Sequence, residues 1–248
     1  MKRIQWLFLA FISVFALTLS PGCFIDFDDD ENIFGCINGS GPIVSETITV
    51  PAFTGIDLRM SAKVFVRQGD DFEVTVEGKQ NIIDELERDV HSGVWRIEID
   101  RCTRDVGELN VFITMPDVTS LKISGSGEII SENTLLVDDI DLDISGSGDM
   151  DLALEADDIS SRISGSGTLL LQGLADELDL NVSGSGDLRA FDLALRTADI
   201  NISGSGDVEV FVSELLIVRI TGSGDVFFKG DPTLDVTITG SGRVVDAN

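Results

Sequence analysis

Basic, imidazole and aromatic side chains are scarce in this 248-residue sequence. It has 17 Lys plus Arg against 44 Asp plus Glu, a net charge of −27, with one His, two Trp and no Tyr. Nucleic acids and anionic membranes bind basic surfaces, so this charge excludes both as partners. The single His91 lies beside Ser92 and Gly93 in a predicted turn, which indicates a surface residue and leaves little for nucleophile–His–acid catalysis. An apolar content of 43% nevertheless argues against a disordered chain.

Residues 1–22 predict a signal peptide. Lys2 and Arg3 provide the charged start, residues 6–19 the apolar stretch and residues 20–22 the small-residue exit. An apolar stretch of about 14 residues is shorter than the roughly 20 that a membrane-spanning helix needs. The sequence therefore predicts an exported protein.

Cys23 follows this exit directly and resembles the cysteine of a bacterial lipoprotein box, which is acylated and becomes the mature N-terminus. Ser20 stands where such boxes usually carry an aliphatic residue, so ordinary signal cleavage at the same place is the alternative. Phe24, in place of the Asp that retains lipoproteins at the inner membrane, favours an outer-membrane lipoprotein or the cell surface over a periplasmic or secreted protein. A lipid anchor is the one membrane contact that the sequence predicts.

Residues 23–35 carry five acidic side chains and predict a solvated tether rather than a metal site. Beyond the tether only Cys36 and Cys102 remain, an even number in an oxidising compartment. We expect a disulfide between them that joins the start of the folded region to its N-terminal portion. Zinc is the alternative, but two thiols and His91 give no recognised ligand spacing.

A glycine motif recurs seven times in the second half of the chain. Ser or Thr followed by Gly-Ser-Gly begins at positions 124, 145, 164, 183, 203, 221 and 239, at intervals of 18 to 21 residues. Apolar and polar residues alternate on both sides of each copy, as at Leu121, Ile123 and Ile129, which predicts half-buried β-strands rather than a flexible linker. The motif glycines are Gly125, Gly127, Gly146, Gly148, Gly165, Gly167, Gly184, Gly186, Gly204, Gly206, Gly222, Gly224, Gly240 and Gly242.

This period of about 19 residues predicts an all-β solenoid, in which stacked coils bury a face that no single coil could bury alone. The glycine motif is the predicted corner, because Gly adopts positive φ easily and lacks a Cβ that would clash with the neighbouring coil. With coils about 4.8 Å apart, seven copies make a ladder roughly 29 Å long. A nucleotide-binding loop is the rival interpretation, but no Lys follows the motif and Asp usually does, which repels phosphate.

Residues 119–248 therefore form the regular array, and residues 36–118 predict a less regular N-terminal part that covers one end of it. Residues 56–66 predict a degenerate coil, with Ser61, Ala62 and Lys63 in place of the glycine corner. Residues 81–88 predict one short helix of about two turns, with Asn81 as the N-cap.

The order of these motifs resembles a known family. The segments Gly39–Gly41, Phe53–Leu58, Val64–Gly69 and Phe72–Asn81, followed by serial Ser-Gly-Ser-Gly-Asp coils, are similar to the head GIN domain family, bacterial envelope proteins described as putative autotransporter adhesins. The resemblance covers roughly residues 36–246. It implies a right-handed parallel β-helix, and it brings no established activity and no binding residues.

Acidic residues follow four of the corners at equivalent positions: Asp149, Asp187, Asp207 and Asp225. In a stacked array such like charges align about 4.8 Å apart and repel one another. Screening by solvent is one interpretation of this row, and Ca²⁺ bound between the coils is the other. Thr168 and Arg243 interrupt the row.

The sequence thus predicts a non-enzymatic cell-envelope protein that acts in adhesion or envelope structure. Its expected partner is a surface component, whether a glycan, a matrix protein or an envelope protein. A polysaccharide-acting or Ca²⁺-dependent carbohydrate-binding β-helix is the alternative. Apolar residues at polar positions of the alternation predict either a third buried face or a patch for a partner; they are Ile130, Leu170, Ile217 and Phe227.

Overall fold

The computed structural model of the protein describes residues 36–248, so the predicted signal peptide, Cys23 and the tether lie outside the described residues. Within that range the chain is all-β with one short helix. The N-terminal part contains β1 (Ile37–Asn38), β2 (Ile43–Ile48), β3 (Gly55–Leu58), β4 (Lys63–Gln68), β5 (Glu73–Lys79), α1 (Gln80–Ile83), β6 (Val90–His91), β7 (Val94–Ile97), β8 (Thr103–Asp105) and β9 (Asn110–Met115). The array contains β10 (Ser120–Ile123), β11 (Glu128–Ser131), β12 (Leu135–Ile144), β13 (Asp149–Ile163), β14 (Thr168–Val182), β15 (Asp187–Ile202), β16 (Val208–Ile220), β17 (Val226–Lys229), β18 (Thr233–Ile238) and β19 (Val244–Asp246).

The array is a parallel β-solenoid of about seven turns with coils of about 19 residues, as the repeat predicts. Successive coils pair in parallel and in register, so that Ile144 lies beside Ile163, Ile163 beside Val182 and Val182 beside Ile202. These side chains are at most 1% exposed and form one continuous core along the axis. The alternation in the sequence therefore identifies the inward face correctly.

The corner glycines are needed because the stacked backbones approach closely, and the expectation that they adopt positive φ is wrong. A Cβ at Gly165 would lie 1.7 Å from the carbonyl oxygen of Gly146, far inside any allowed contact. Hydrogen bonds hold this approach, as between the Ser166 N–H and the Gly146 carbonyl at 3.0 Å. Positive φ occurs at other glycines of the described chain: Gly41, Gly93, Gly107, Gly173 and Gly230.

The degenerate coil predicted at residues 56–66 is confirmed. β3 pairs in parallel with β10, which sets Leu58 beside Ile123, and β4 pairs with β11, which sets Val64 beside Ile129. Its corner is residues 59–62, which contain no glycine, and Lys63, predicted in the corner, instead begins β4. This coil therefore continues the core of the array in the N-terminal direction.

The chain does not add the next coil in sequence order. β7 pairs with β3, and β9 with β4, on the side opposite to β10 and β11. β5 then pairs antiparallel with β9, and β2 antiparallel with β5, which closes this end of the sheet. Residues 36–118 thus form a cap in which Trp95 is fully buried and donates its indole N–H to the Glu87 carbonyl at 2.9 Å.

The helix is shorter than predicted, and Asn81 is not its N-cap. α1 spans Gln80–Ile83, with Lys79 at the N-cap position and no side-chain capping bond. The Glu87 N–H donates to the carbonyl of Glu98 at 3.0 Å instead of continuing the helix. Asn81 accepts the Ser40 N–H at 2.9 Å, so its side chain ties the first described residues to the cap.

The opposite end of the described chain is uncovered. β18 pairs with β16, and all six of its residues are exposed. Its inward positions continue the core columns, yet Leu234 is 45% exposed, Val236 39% and Ile238 42%. The two ends of the solenoid therefore differ, one closed by antiparallel strands and the other open.

Candidate functional site

The acidic row after the corners has a structural role. Each carboxylate accepts the backbone N–H at the equivalent position of the following coil, so it satisfies a donor where the next strand begins. The four bonds join Thr168 N to Asp149 Oδ1 (2.7 Å), Asp207 N to Asp187 Oδ1 (2.8 Å), Asp225 N to Asp207 Oδ1 (2.9 Å) and Arg243 N to Asp225 Oδ1 (2.8 Å). The sequence identified these aspartates as a set but gave no sign of these bonds.

Arg243 ends this row with a compensating charge. Its guanidinium donates to the Asp225 carboxylate, and this side-chain hydrogen bond holds the pKa of Asp225 below its usual value. The same bond raises the pKa of Arg243. The row thus combines backbone bonds with a cation at its last member, which reduces the repulsion that aligned carboxylates suffer.

Within residues 36–248 no group of three or more His, Cys, Asp or Glu side chains is placed to hold a metal ion. One oxygen of each row aspartate is already used by a backbone N–H of the next coil. Calcium prefers six to eight oxygen ligands, which a single straight row of carboxylates does not converge to supply. The hypothesis of Ca²⁺ between coils therefore gains no support from this geometry.

Cys36 and Cys102 are joined by a disulfide, with their Cα atoms 4.4 Å apart. The bond lies where β1 pairs with β8, and the Ile37 N–H donates to the Cys102 carbonyl at 2.8 Å. It closes a loop over a sequence separation of 66 residues. The disulfide therefore fastens the first described residues to the cap.

His91 is exposed at the tip of a hairpin. It ends β6, and Ser92 and Gly93, both with positive φ, lead into β7. No cysteine is free beside it in the described chain, since the two there are disulfide-bonded.

The outward side chains form rows along the axis, and one row near the corners alternates in sign. Arg96, Asp57, Lys122, Asp143 and Arg162 lie beside one another in successive coils. Asp143 is 3.6 Å from the Lys122 ammonium and 3.7 Å from the Arg162 guanidinium. Attraction along this row offsets the charge of its acids, so little net charge remains for a partner.

The next corner of the coil is different, because its rows are acidic. Asp139, Asp158 and Glu177 lie side by side in register. Each of the three follows another acidic residue in the sequence. We call these six residues the acidic edge: Asp138, Asp139, Asp157, Asp158, Asp176 and Glu177. All six are exposed. Only Asp176 has an ion-pair partner among residues 36–248, Arg196 at 3.9 Å, which also lies 3.3 Å from Glu214.

A row with exposed apolar side chains lies directly beside the acidic edge. The strand register aligns Leu136, Glu155, Leu174, Ala194 and Phe211 in successive coils. Leu136 is 60% exposed and Leu174 55% exposed, the two highest values among the large apolar side chains of the described chain. Phe211 is half-buried. We call Leu136, Leu174 and Phe211 the apolar row.

Two adjoining depressions run along this part of the surface. One of about 720 Å³ is lined by all three residues of the apolar row. The other, about 860 Å³, is lined by Asp139 and Asp158 of the acidic edge. Leu136, Val137 and Asp138 line both, so the two form one groove.

The apolar residues that the sequence analysis singled out do not form a third buried face. Ile130, Ile217 and Phe227 are half-buried and Leu170 is 37% exposed. Ile130 and Leu170 both lie beside Asp151, on the outer face of the sheet that follows the glycine corners. Sequence reasoning thus missed Leu136 and Leu174, which are more exposed than any residue it named.

Several solved structures share this fold. A putative adhesin from Bacteroides fragilis NCTC 9343 has a TM-score of 0.80 at 23% identity, over 84% of this chain and 99% of that one. A putative lipid binding protein from Parabacteroides distasonis ATCC 8503 has a TM-score of 0.72 at 24% identity, over 85% and 99%. A putative adhesin from the same organism has a TM-score of 0.68 at 26% identity, over 84% and 98%.

None of the curated proteins matches this sequence. Between residues 36 and 248 the structure has no helix of the length and apolarity that a membrane crossing requires. A family model does match residues 52–232, which include most of the cap and most of the glycine corners. The chain therefore belongs to the family described as putative auto-transporter adhesin, head GIN domain.

Proposed function

We propose that this protein is a non-enzymatic adhesin of the bacterial envelope, exported by residues 1–22 and held at the outer membrane by an acylated Cys23. The acidic tether of residues 23–35 then lies between the lipid anchor and the solenoid. In this role the solenoid is the part that contacts a component of another surface.

The observation that supports this proposal is the regular arrangement of outward side chains on a rigid rod. Parallel coils repeat each outward position about every 4.8 Å, so a partner meets the same row several times. Repeated weak contacts along one rod add up to firm attachment without a deep pocket. Membership in a family described as adhesins agrees with this use of the surface.

The test uses bacterial cells that express the full chain. Wild-type cells are expected to adhere to at least one of three coated surfaces, carrying glycans, mucin or matrix protein, more strongly than vector cells. Cys23→Ala is expected to abolish acylation, measured by incorporation of labelled palmitate, and to remove adhesion while the protein is still exported. Wild-type cells that adhere no better than vector cells on all three surfaces would contradict the adhesin proposal.

Labelled palmitate separates the anchor from the adhesin. Adhesion that persists in the Cys23→Ala cells, with no label on the wild-type protein, would contradict the lipid anchor alone. In that case another mode of surface retention holds the solenoid.

A further inference from the structure

We propose that the groove over the apolar row and the acidic edge binds a cationic amphipathic helix of a partner polypeptide. This deepens the proposed function, on which it rests for its biological setting. The groove joins the two most exposed leucines of the described chain to carboxylates that have no ion-pair partner among residues 36–248.

The spacing of the apolar row fits one face of a helix. Leu136 and Leu174 are two coils apart, as are Leu174 and Phe211, which makes about 9.6 Å per interval. Seven helical residues rise about 10.5 Å, so apolar side chains at i and i+7 meet successive members of the row. Glu155 and Ala194 lie between them and line the same depression.

The charge of the acidic edge selects the other face of the partner. Asp138 is two residues beyond Leu136 in the same coil, and Asp157 and Asp176 follow at about 4.8 Å intervals. Lysines or arginines one helical turn apart, about 5.4 Å, match this repeat. Asp138 and Asp157 have no ion-pair partner within residues 36–248, so a cationic helix supplies the missing charge.

The same charges exclude two other occupants. An anionic lipid surface is repelled by six exposed carboxylates, as is a second copy of this chain presenting its own acidic edge. A neutral apolar segment would cover the leucines but would leave the carboxylates desolvated and unpaired. Only a partner that combines leucine-like and basic side chains satisfies both rows.

The experiment measures binding of a labelled 18-residue Leu/Lys peptide whose leucines lie on one helical face, by fluorescence anisotropy. The protein is the exported chain carrying Cys23→Ser, which keeps residues 36–248 unchanged. A second peptide has the same composition with its leucines distributed around the helix. The amphipathic peptide is expected to bind at least tenfold more tightly than the second. Equal binding of the two would mean that net charge alone acts, and would overturn the proposal.

Matched variants locate the site. Leu136→Gln with Leu174→Gln is expected to raise Kd at least tenfold, whereas the control pair Leu170→Gln with Leu234→Gln, exposed elsewhere, changes it less than twofold. Equal effects of the two pairs would place the peptide elsewhere and overturn the proposal. Circular dichroism checks that both proteins are folded.

A charge pair gives a second readout. The double variant Asp138→Asn with Asp157→Asn is expected to raise the Kd of the peptide at least fivefold and to reduce the dependence of Kd on salt. The control variant, Asp70→Asn with Asp71→Asn in the cap, loses the same charge and is expected to change Kd less than twofold. Equal losses from both pairs would overturn the role of the acidic edge. Failure of peptide binding while wild-type cells still adhere would reject the groove and leave the adhesin proposal standing.

Discussion

Two neighbouring corners show what distinguishes the cap from the array. Residues 59–62 and residues 124–127 are stacked equivalents, yet the first contains Arg, Met, Ser and Ala where the second contains Ser-Gly-Ser-Gly. A Cβ on Gly125 would lie 2.8 Å from the backbone of Arg59 in the coil before it, and a Cβ on Gly127 2.5 Å from the carbonyl oxygen of Ala62. Each corner glycine thus makes room toward the preceding coil.

The first corner needs no glycine because no corner is stacked before it. In the coil before it, residues 98–109 connect β7 to β9. This connection does not form a corner; it contains β8, which pairs with β1 outside the solenoid. A depression of about 340 Å³, lined by Met60, Ile99 and Val106, lies where a stacked corner would otherwise be. The glycine motif is therefore a consequence of stacking one corner on another, rather than of the turn itself.

Alanine at the two equivalent positions is expected to give the largest contrast. Gly165→Ala places a Cβ 1.7 Å from a carbonyl oxygen, so the coils must separate, and we expect a loss of more than about 4 kcal/mol or failure to fold. Met60 is half-buried, and its replacement by Ala removes only part of a packed side chain. We therefore expect Met60→Ala to lower the free energy of unfolding by less than about 2 kcal/mol. Urea unfolding of both proteins tests this, and similar midpoints would contradict the stacking explanation.

The disulfide is expected to act on the cap. A disulfide across this sequence separation lowers the entropy of the unfolded chain, and so contributes about 4 kcal/mol to the free energy of unfolding. Cys36→Ser with Cys102→Ser should therefore speed hydrogen exchange in residues 36–118 more than in residues 119–248, since repeats depend chiefly on their neighbours. A uniform increase along the chain would mean that cap and array unfold as one unit.

The core of the array contains one polar defect, which predicts a stabilising substitution. Ser161 lies in the inward column between Leu142 and Leu180 and is 5% exposed. Its hydroxyl has no hydrogen-bond partner among residues 36–248. An unsatisfied buried hydroxyl costs about 1 to 3 kcal/mol, so Ser161→Ala should raise stability by about 1 kcal/mol. The exposed Ser160→Ala is the control, and thermal unfolding measures both. Destabilisation by Ser161→Ala would indicate that the hydroxyl is bonded after all.

The smallest expected effect is at the end of the acidic row. Because the pKa of Asp225 is lowered in the folded state, its pairing with Arg243 adds stability above the unfolded pKa of about 3.9 and loses it as the pH falls through the lowered value. Arg243→Gln should thus lower the melting temperature at pH 7, and the difference from wild type should vanish in acid. A difference in melting temperature that stays constant with pH would exclude this pairing as its cause. The control is Arg189→Gln, which removes an exposed arginine of the same sheet.

The array could be predicted from the sequence because every coil repeats the same local conditions. The alternation of apolar and polar residues predicts which side chains point inward, and the spacing of the glycine motifs predicts the length of each coil. The cap could not be predicted in the same way, since β7 and β9 pair on the far side of β3 and β4, against chain order. The helix ended early for a tertiary reason, the bond between Glu87 and Glu98.

The groove was missed because its rows depend on a register that the corners do not determine. Ile130 lies beside Asp151 and Leu135 beside Leu154, so the first coil has two extra residues between these positions. Counting from the corners therefore places Leu136 out of line with Leu174. Only the strand pairing shows that both belong to one row.

The local character of the stacking has a consequence for how such rods change in evolution. Each inner coil contacts only the coil on either side, and its corner glycines already fit the backbone of another copy of itself. Duplication of a segment of about 19 residues would therefore lengthen the rod by one step of about 4.8 Å without disturbing the cap. The length of the solenoid can therefore change only in whole coils, each of which adds the same increment.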